Sequence, residues 1–416
     1  MPDSFQKSIL DNGVRVITEH IPSVRSISVG AWIGAGSRDE SDLESGMCHF
    51  IEHMVFKGTL KRRMHHIAQR MENVGGYLNA FTSKEYTCFY ARSLDEHLPR
   101  ALDTVIDLIH TPTFPEKEIE KEKDVIVEEM KMYEDTPDDR VFDHLDAALY
   151  TGSAMGRPVI GTEETVRSFT REGLMSFLNR HYVEPNTIIA IAGNVSHQKA
   201  VRLVEKYYSR TNPILDAGER DGILDYNPSV FSENRPVQQA HLILGTRAYD
   251  VHDPKRVALS VLNTILGGGM SSRLNQNIRE RYGYCYNIYS FNNLHSDVGD
   301  FGVYMGTDAK KVDHSVKLIY REFDKLLKKS VTKMELDRAK SQAKGSIMLG
   351  LESMGSRMMR IGRQELYYQR YYSLDSILSM IEAVSLDDIM DVAKDILDPS
   401  RYSLIKILPE TEGPAA

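Results

Sequence analysis

The sequence predicts a duplicated α+β fold, and three observations carry that expectation: chain length, an order of elements that runs twice, and a change of composition between the two runs. At 416 residues the chain exceeds what one hydrophobic core usually organises, and it suits two domains of about 200 residues each. Hydrophobic residues make up 41% and charged residues 26%, the balance of a soluble globular protein. Residues 210–230 carry two prolines, two glycines and many charges, as a linker does. Domains are therefore expected over 1–213 and 230–416, joined by a linker at 214–229. A disordered tail is expected from Pro409 onward.

The first half opens with alternating strand patterns. Ser8 to Leu10 meets the turn Asp11-Asn12-Gly13, and Val14 to Ile21 and Ile27 to Ile33 follow. A helix is expected from Met47 to Phe56, and a second from Ile67 to Asn73, ended by Gly75-Gly76. Tyr77 to Thr82 and Tyr86 to Arg92 read as strands. Helical periodicity returns over 98–109 and 116–133. A helix over 172–181, the strand Thr187 to Ala192 and a helix over 198–208 close the half.

The second half replays this order. The strand Val237 to Leu244 precedes an apolar-striped helix over 255–266, and Gly267-Gly268-Gly269 breaks the chain before a helix over 272–281. Strands over 285–291 and 300–305 come next. Helices over 312–327 and 333–363 and a helical stretch over 374–397 follow, and a strand from Tyr402 to Ile407 ends the run. The glycine run lacks the Gly-Lys-Ser/Thr of a phosphate loop, so a flexible helix terminus is its reading.

A net charge of −8 argues against a nucleic-acid binder. No apolar run is long enough to span a membrane, and Met1-Pro2-Asp3-Ser4-Phe5 begins neither a secretory signal nor an Arg-rich presequence. Cys48, Cys88 and Cys285 are scattered, without C-x-x-C spacing. Reduced thiols in a cytoplasmic protein are expected, with Cys48 a packing residue.

The chemistry concentrates in His49-Phe50-Ile51-Glu52-His53. Residues four apart share a helix face, so His49 and His53 can offer ring nitrogens to one metal ion. Glu52 stands beside that ion, where a carboxylate can take a proton from water activated by zinc. This is the H-x-x-E-H order, the reverse of H-E-x-x-H. The plain alternative is a solvated histidine face. A catalytic zinc site needs a third protein ligand, and the helix over 116–133 carries Glu122 and Glu129 on one face beside an apolar stripe of Ile119, Ile126 and Met130. Spacing alone leaves Glu128 and Glu129 both open. The second half has Val-Ala-Leu-Ser-Val-Leu (257–262) at the corresponding helix, so only one copy can hold metal in this way.

The pentapeptide, extended by Met54 and by Phe56-Lys57-Gly58-Thr59, resembles the pitrilysin/insulysin metallopeptidases, most closely their processing-peptidase branch. The resemblance implies a pair of mainly antiparallel sheets packed with helices. It implies a third zinc ligand 76 positions beyond the second histidine, at Glu129, and a supporting glutamate at Glu122, of the kind that orients ligands. One Zn2+ per chain is expected, held by His49, His53 and Glu129, with Glu52 as the base. Gly75 to Thr82 is similar to the family's substrate-pairing edge strand. That likeness implies a side-chain hydrogen bond from Asn79, a backbone carbonyl from Ala80 and a specificity pocket lined by Phe81. Arg279 to Tyr286 resembles the segment bearing the family's Arg and Tyr substrate contacts, with Arg279 holding the peptide backbone and Tyr286 stabilising the oxyanion. Residues 267–269 correspond to a glycine-rich loop, shorter here than in the family.

The reading is a zinc metalloendopeptidase acting on short or unfolded, extended peptides. The first domain is expected to be catalytic and the second to complete the substrate chamber. The partners expected are peptide substrate and a second chain, in a homodimer or a heterodimer with an inactive paralogue; nucleic acid and membrane are not expected. The alternative is a non-catalytic assembly or peptide-binding subunit of a larger complex.

Overall fold

Two mixed sheets organise the chain, whose computed structural model describes residues 4–208, 220 and 222–410. Residues 214–219 and 221 of the expected linker lie outside the described residues, and so does all but the start of the expected tail. In the first sheet β1 (Phe5–Ile9), β2 (Arg15–His20), β3 (Ser26–Ile33), β4 (Tyr77–Thr82), β5 (Thr87–Leu94) and β6 (Thr187–Gly193) run in the order β1-β2-β6-β3-β5-β4. The second contains β7 (Val230–Arg235), β8 (Ala240–Ala248), β9 (Cys285–Leu294), β10 (Gly299–Thr307) and β11 (Ser403–Pro409), in the order β7-β11-β8-β10-β9. Set β1 aside and the two orders coincide. Each sheet also has one parallel pair, β2–β6 and β7–β11, at the same place in an otherwise antiparallel ladder. The duplication expected from element order is therefore written in the topology.

Each sheet is apolar on both faces and needs a cover on each. On β3, Ile27, Val29, Ala31 and Ile33 enter the larger core, together with Met47, Phe50 and Ile51 of the helix Met47–Met54. Trp32 points the other way, with Ile17, Ile188 and Ala190, and meets Met358 and Ile361 of the helix Met354–Tyr368. The Trp32 indole N–H donates to Met358 Sδ at 3.4 Å. In the second sheet Leu242, Leu244, Phe301 and Val303 pack on the helices Arg256–Gly267 and Val312–Lys328. Ile243, Ile405 and Ile407 face Val141, Leu145 and Leu149 of the helix Pro137–Leu149.

These second covers correct the linear domain division. One compact unit is Met1–Lys131 with Arg157–Gly222 and Gly350–Tyr371; the other is Met132–Gly156 with Ile223–Leu349 and Tyr372–Ala416. Each half of the chain thus lends one helix to the unit built mainly by the other half. The apolar faces left bare by the local helices are the physical reason.

Other elements differ in detail. The helix expected over 47–56 ends at Met54 and tightens into a 3-10 turn at Val55–Lys57. The long helix over 333–363 is two, Lys333–Gly350 and Met354–Tyr368. The stretch over 374–397 also divides, where Ser385 and Asp388 form a capping box. Residues Asn275–Glu280 form a π-helix inside the segment expected to be α-helical.

The contact between Trp32 and the helix Met354–Tyr368 depends on Gly362, where an added Cβ would collide with the indole. Alanine in place of a helical glycine gains about 1 kcal/mol in propensity, while overpacking a filled core costs about 1–3 kcal/mol. Gly362→Ala is therefore expected to be neutral to destabilising by up to about 2 kcal/mol, the difference of those two terms. Urea unfolding read at the single tryptophan measures it, and a clear gain in stability would show that the contact yields.

Candidate metal centre

The helix Met47–Met54 owes its position to a buried carboxylate. Glu40 accepts from the backbone N–H groups of Gly46, at 2.8 Å, and Cys48, at 2.7 Å, so it satisfies donors that a helix start leaves unpaired. Burial pushes the Glu40 carboxyl up to about 8 against the pull of those two donors. Gly46 takes φ +92°, and a side chain there would strike the backbone of Ile160 and Gly161. Removing the cap in Glu40→Ala leaves buried N–H groups without a partner and is expected to cost about 1–3 kcal/mol, measurable by denaturant titration. An unchanged midpoint would remove Glu40 from this role.

From that start, Met47, Cys48, Phe50, Ile51 and Met54 go into the core, and His49, Glu52 and His53 stay half-buried on the remaining face. The helix Glu116–Glu134 lies opposite, anchored by Ile119, Ile126 and Val127. It brings Glu129 to both imidazoles: Glu129 Oε1 is 3.8 Å from His49 Nε2, and Oε2 is 3.6 Å from His53 Nε2. Ligand atoms from the three residues lie within 4.8 Å of one another. Glu128, left open by spacing, points elsewhere and pairs with Lys131 at 2.6 Å on the exposed face.

These separations fit a shared ion. They are too long for hydrogen bonds. Zinc held by N and O donors at about 2.0–2.2 Å sets tetrahedral ligands about 3.4 Å apart, so small adjustments suffice. Burial and the neighbouring His53 hold His49 down at about 3, so the ring is neutral and has a lone pair to give.

The groups around the trio are arranged by role. Glu122 Oε1 is 2.9 Å from His53 Nδ1, which turns the opposite nitrogen, Nε2, toward Glu129. Burial alone would lower His53; the Glu122 hydrogen bond and the charge of Glu129 raise it on balance. Glu122 itself is lowered overall by His53 and Lys57, against a burial effect that would raise it. Glu52 stands apart from the donor set, and burial raises it. The Thr82 hydroxyl donates to Glu52 Oε2 at 2.7 Å.

The strand β4 lies at the sheet edge, hydrogen-bonded to β5. Alternation divides its residues: Ala80 and Leu78 join the core that contains the metal helix, and Phe81 joins the opposite one. The structure does not bring the Phe81 ring to the metal trio. It packs edge-on to Trp32 and Tyr86, at 6.2 and 5.9 Å between ring centroids. Asn79 is exposed and donates to the Tyr77 hydroxyl at 2.6 Å. Arg279 and Tyr286 belong to the second unit, where the guanidinium lies 5.8 Å over a Tyr286 ring that is 83% exposed. Sequence reasoning missed Glu40, Thr82 and Lys57. Thr82 had a signal in sharing strand parity with Ala80, and Lys57 in following His53 by four residues.

Two sheets packed with helices, with two histidines and a glutamate converging beside a separate carboxylate, are the arrangement of the metallohydrolase class. The profile of the insulinase family, peptidase family M16, matches residues 15–163, and that of the peptidase M16 inactive domain matches residues 168–343. The uncharacterized zinc protease YmxG of Bacillus subtilis is 39% identical over 97% of this chain and 98% of its own length. An uncharacterized zinc protease of Streptomyces coelicolor is 40% identical over 95% of this chain and 87% of its own. Among solved structures, the peptidase M16 inactive domain from Pseudomonas fluorescens shares the fold with a TM-score of 0.91 at 22% identity, covering 98% of each chain. A protease from Helicobacter pylori gives 0.89 at 22% identity, covering 97% of this chain and 99% of its own. The chain belongs to peptidase family M16, the family that the motif around His49 resembles.

Proposed function

We propose that this chain is a zinc metalloendopeptidase of the processing-peptidase type, acting on short or unfolded peptides laid out as strands. The observation that carries the reading is the convergence of His49, His53 and Glu129 at separations of 3.6 and 3.8 Å, too long for hydrogen bonds and suited to one shared ion. Zinc, when bound, supplies Lewis acidity and brings the pKa of its water to about 7. Glu52 takes a proton from the attacking water and delivers it to the leaving amine. Thr82 fixes one oxygen of that carboxylate, so the other does the work. β4 is the edge strand along which an extended substrate would pair, with Asn79 adding a side-chain hydrogen bond and Ala80 a backbone carbonyl. Arg279 and Tyr286 contribute peptide contacts in this reading.

The relatives named as zinc proteases support it. A non-catalytic subunit is the weaker reading, since all three donors and the base are present. No helix among the described residues is long and apolar enough to cross a membrane, and the cysteines are free, in keeping with cytoplasmic work. Assembly as a homodimer, or with an inactive paralogue, belongs to the same proposal. The test pairs zinc stoichiometry with cleavage of a quenched-peptide library. One zinc per chain with cleavage of unstructured peptides is expected; zinc binding without cleavage would sink the peptidase, and no zinc binding would sink the site.

A further inference from the structure

The motif residue Lys57 has no part in the chemistry above, yet it makes a close contact with its supporting shell. Its ammonium lies 2.6 Å from Glu122 Oε2, while the other oxygen of the same carboxylate is 2.9 Å from His53 Nδ1. Lys57, Glu122 and His53 therefore form one continuous line that ends at the metal trio, all within the first unit. The 3-10 turn Val55–Lys57, which follows the metal helix directly, carries the lysine to this place.

The environment makes this more than a surface ion pair. The Glu122 side chain is only 5% exposed and that of Lys57 only 22%. An exposed pair is worth little. A carboxylate taken out of water needs both oxygens satisfied and a countercharge, and stripping one partner from such a pair is costly. With Lys57 holding Oε2, the carboxylate plane is set and Oε1 is presented to the imidazole. Without it, Glu122 Oε2 has no partner to hold the carboxylate plane, the side chain can rotate toward solvent, and His53 loses the acceptor that fixes its ring and tautomer.

We propose that Lys57 is a positioning residue of the metal centre, acting on His53 through Glu122 so that the imidazole is oriented before the ion arrives. This rests on the reading of His53 as a metal ligand. The test measures zinc affinity by chelator competition and needs no turnover. Lys57→Met is expected to weaken zinc binding by about 10–100-fold, the range for loss of groups that orient ligands. Lys57→Arg, which keeps the charge and the reach, should stay within a few-fold of wild type. On a Glu122→Gln background, Lys57→Met should cause no further loss, because the line is already broken. Melting of the metal-free proteins checks that each variant is folded, and Lys57→Ala serves as a second charge-removing variant.

The proposal is overturned if Lys57→Met and Lys57→Ala bind zinc as tightly as wild type. It is equally overturned if Lys57→Arg fails as badly as Lys57→Met, or if the losses from Lys57→Met and Glu122→Gln simply add. Failure of wild type itself to bind zinc is a different result, and it would strike the metal site rather than this residue.

Discussion

Glu52→Gln is expected to keep zinc at the wild-type level and to lower peptide cleavage by about a hundred- to ten-thousandfold, the contribution typical of a general base. The expectation follows from where the carboxylate stands. Glu52 lies on the half-buried face of the metal helix with His49 and His53, but the donor set closes through Glu129 instead. Glutamine has the same shape, and its amide oxygen can still accept the Thr82 hydroxyl that holds Glu52 Oε2 at 2.7 Å. Packing and metal content should therefore persist while proton transfer is lost. Metal analysis beside initial rates at saturating peptide gives both readings on one preparation. A variant that cleaves at the wild-type rate would mean that another group moves the proton.

The adjacent glutamates of the second helix should separate completely. Glu129→Gln removes one of three ligand groups and is expected to abolish stoichiometric zinc and, with it, cleavage. Glu128→Gln should leave both intact, because its side chain is on the solvated face and pairs with Lys131 there; such an exposed pair contributes about 0.2–1 kcal/mol. Equilibrium dialysis against zinc distinguishes the two variants without any assay of activity. Equal zinc retention in both would remove Glu129 from the ligand set.

How far the sequence could be read depended on whether a feature is local. The metal helix was legible because its histidines, its base and its apolar positions all obey one 3.6-residue period within eight residues. The repeated order of strands and helices was legible for the same reason, and its agreement with the two sheet orders shows that the pattern carried topology. Spacing alone did not decide Glu129 over Glu128, since both belong to the same charged turn; the resemblance pointed to Glu129, and the placement of Ile119 and Ile126 in the core is what turns it to the histidines. Phe81, next to Ala80 and Thr82, must point to the other side of the sheet from them, so its expected pocket is not on the face that carries the metal trio. The pairing of Glu40 with Gly46 and Cys48 joins a carboxylate to backbone donors across a loop, and no periodicity marks it; Lys57 follows His53 at a helical step, but its pairing with Glu122 on a distant helix has no local sign. The helix Pro137–Leu149 did have a signal, with Val141, Leu145 and Leu149 at four-residue steps after a proline start. It escaped notice because its partner sheet lies a hundred residues further along the chain.

The exchange of covering helices has a consequence for how the molecule comes into being. A ribosome that has delivered β1 through β6 has made the whole first sheet, yet the face bearing Trp32 stays uncovered until the segment Met354–Tyr368 emerges. Domains usually fold as units in order of synthesis, and apolar surface exposed in the meantime invites aggregation. Here the earlier-made body must wait, as a nascent chain, for nearly the last of its sequence. Cells expressing a truncation that stops short of Met354 would thus hold an intact metal motif on a sheet that cannot close, and such a product belongs to chaperones and degradation rather than to catalysis.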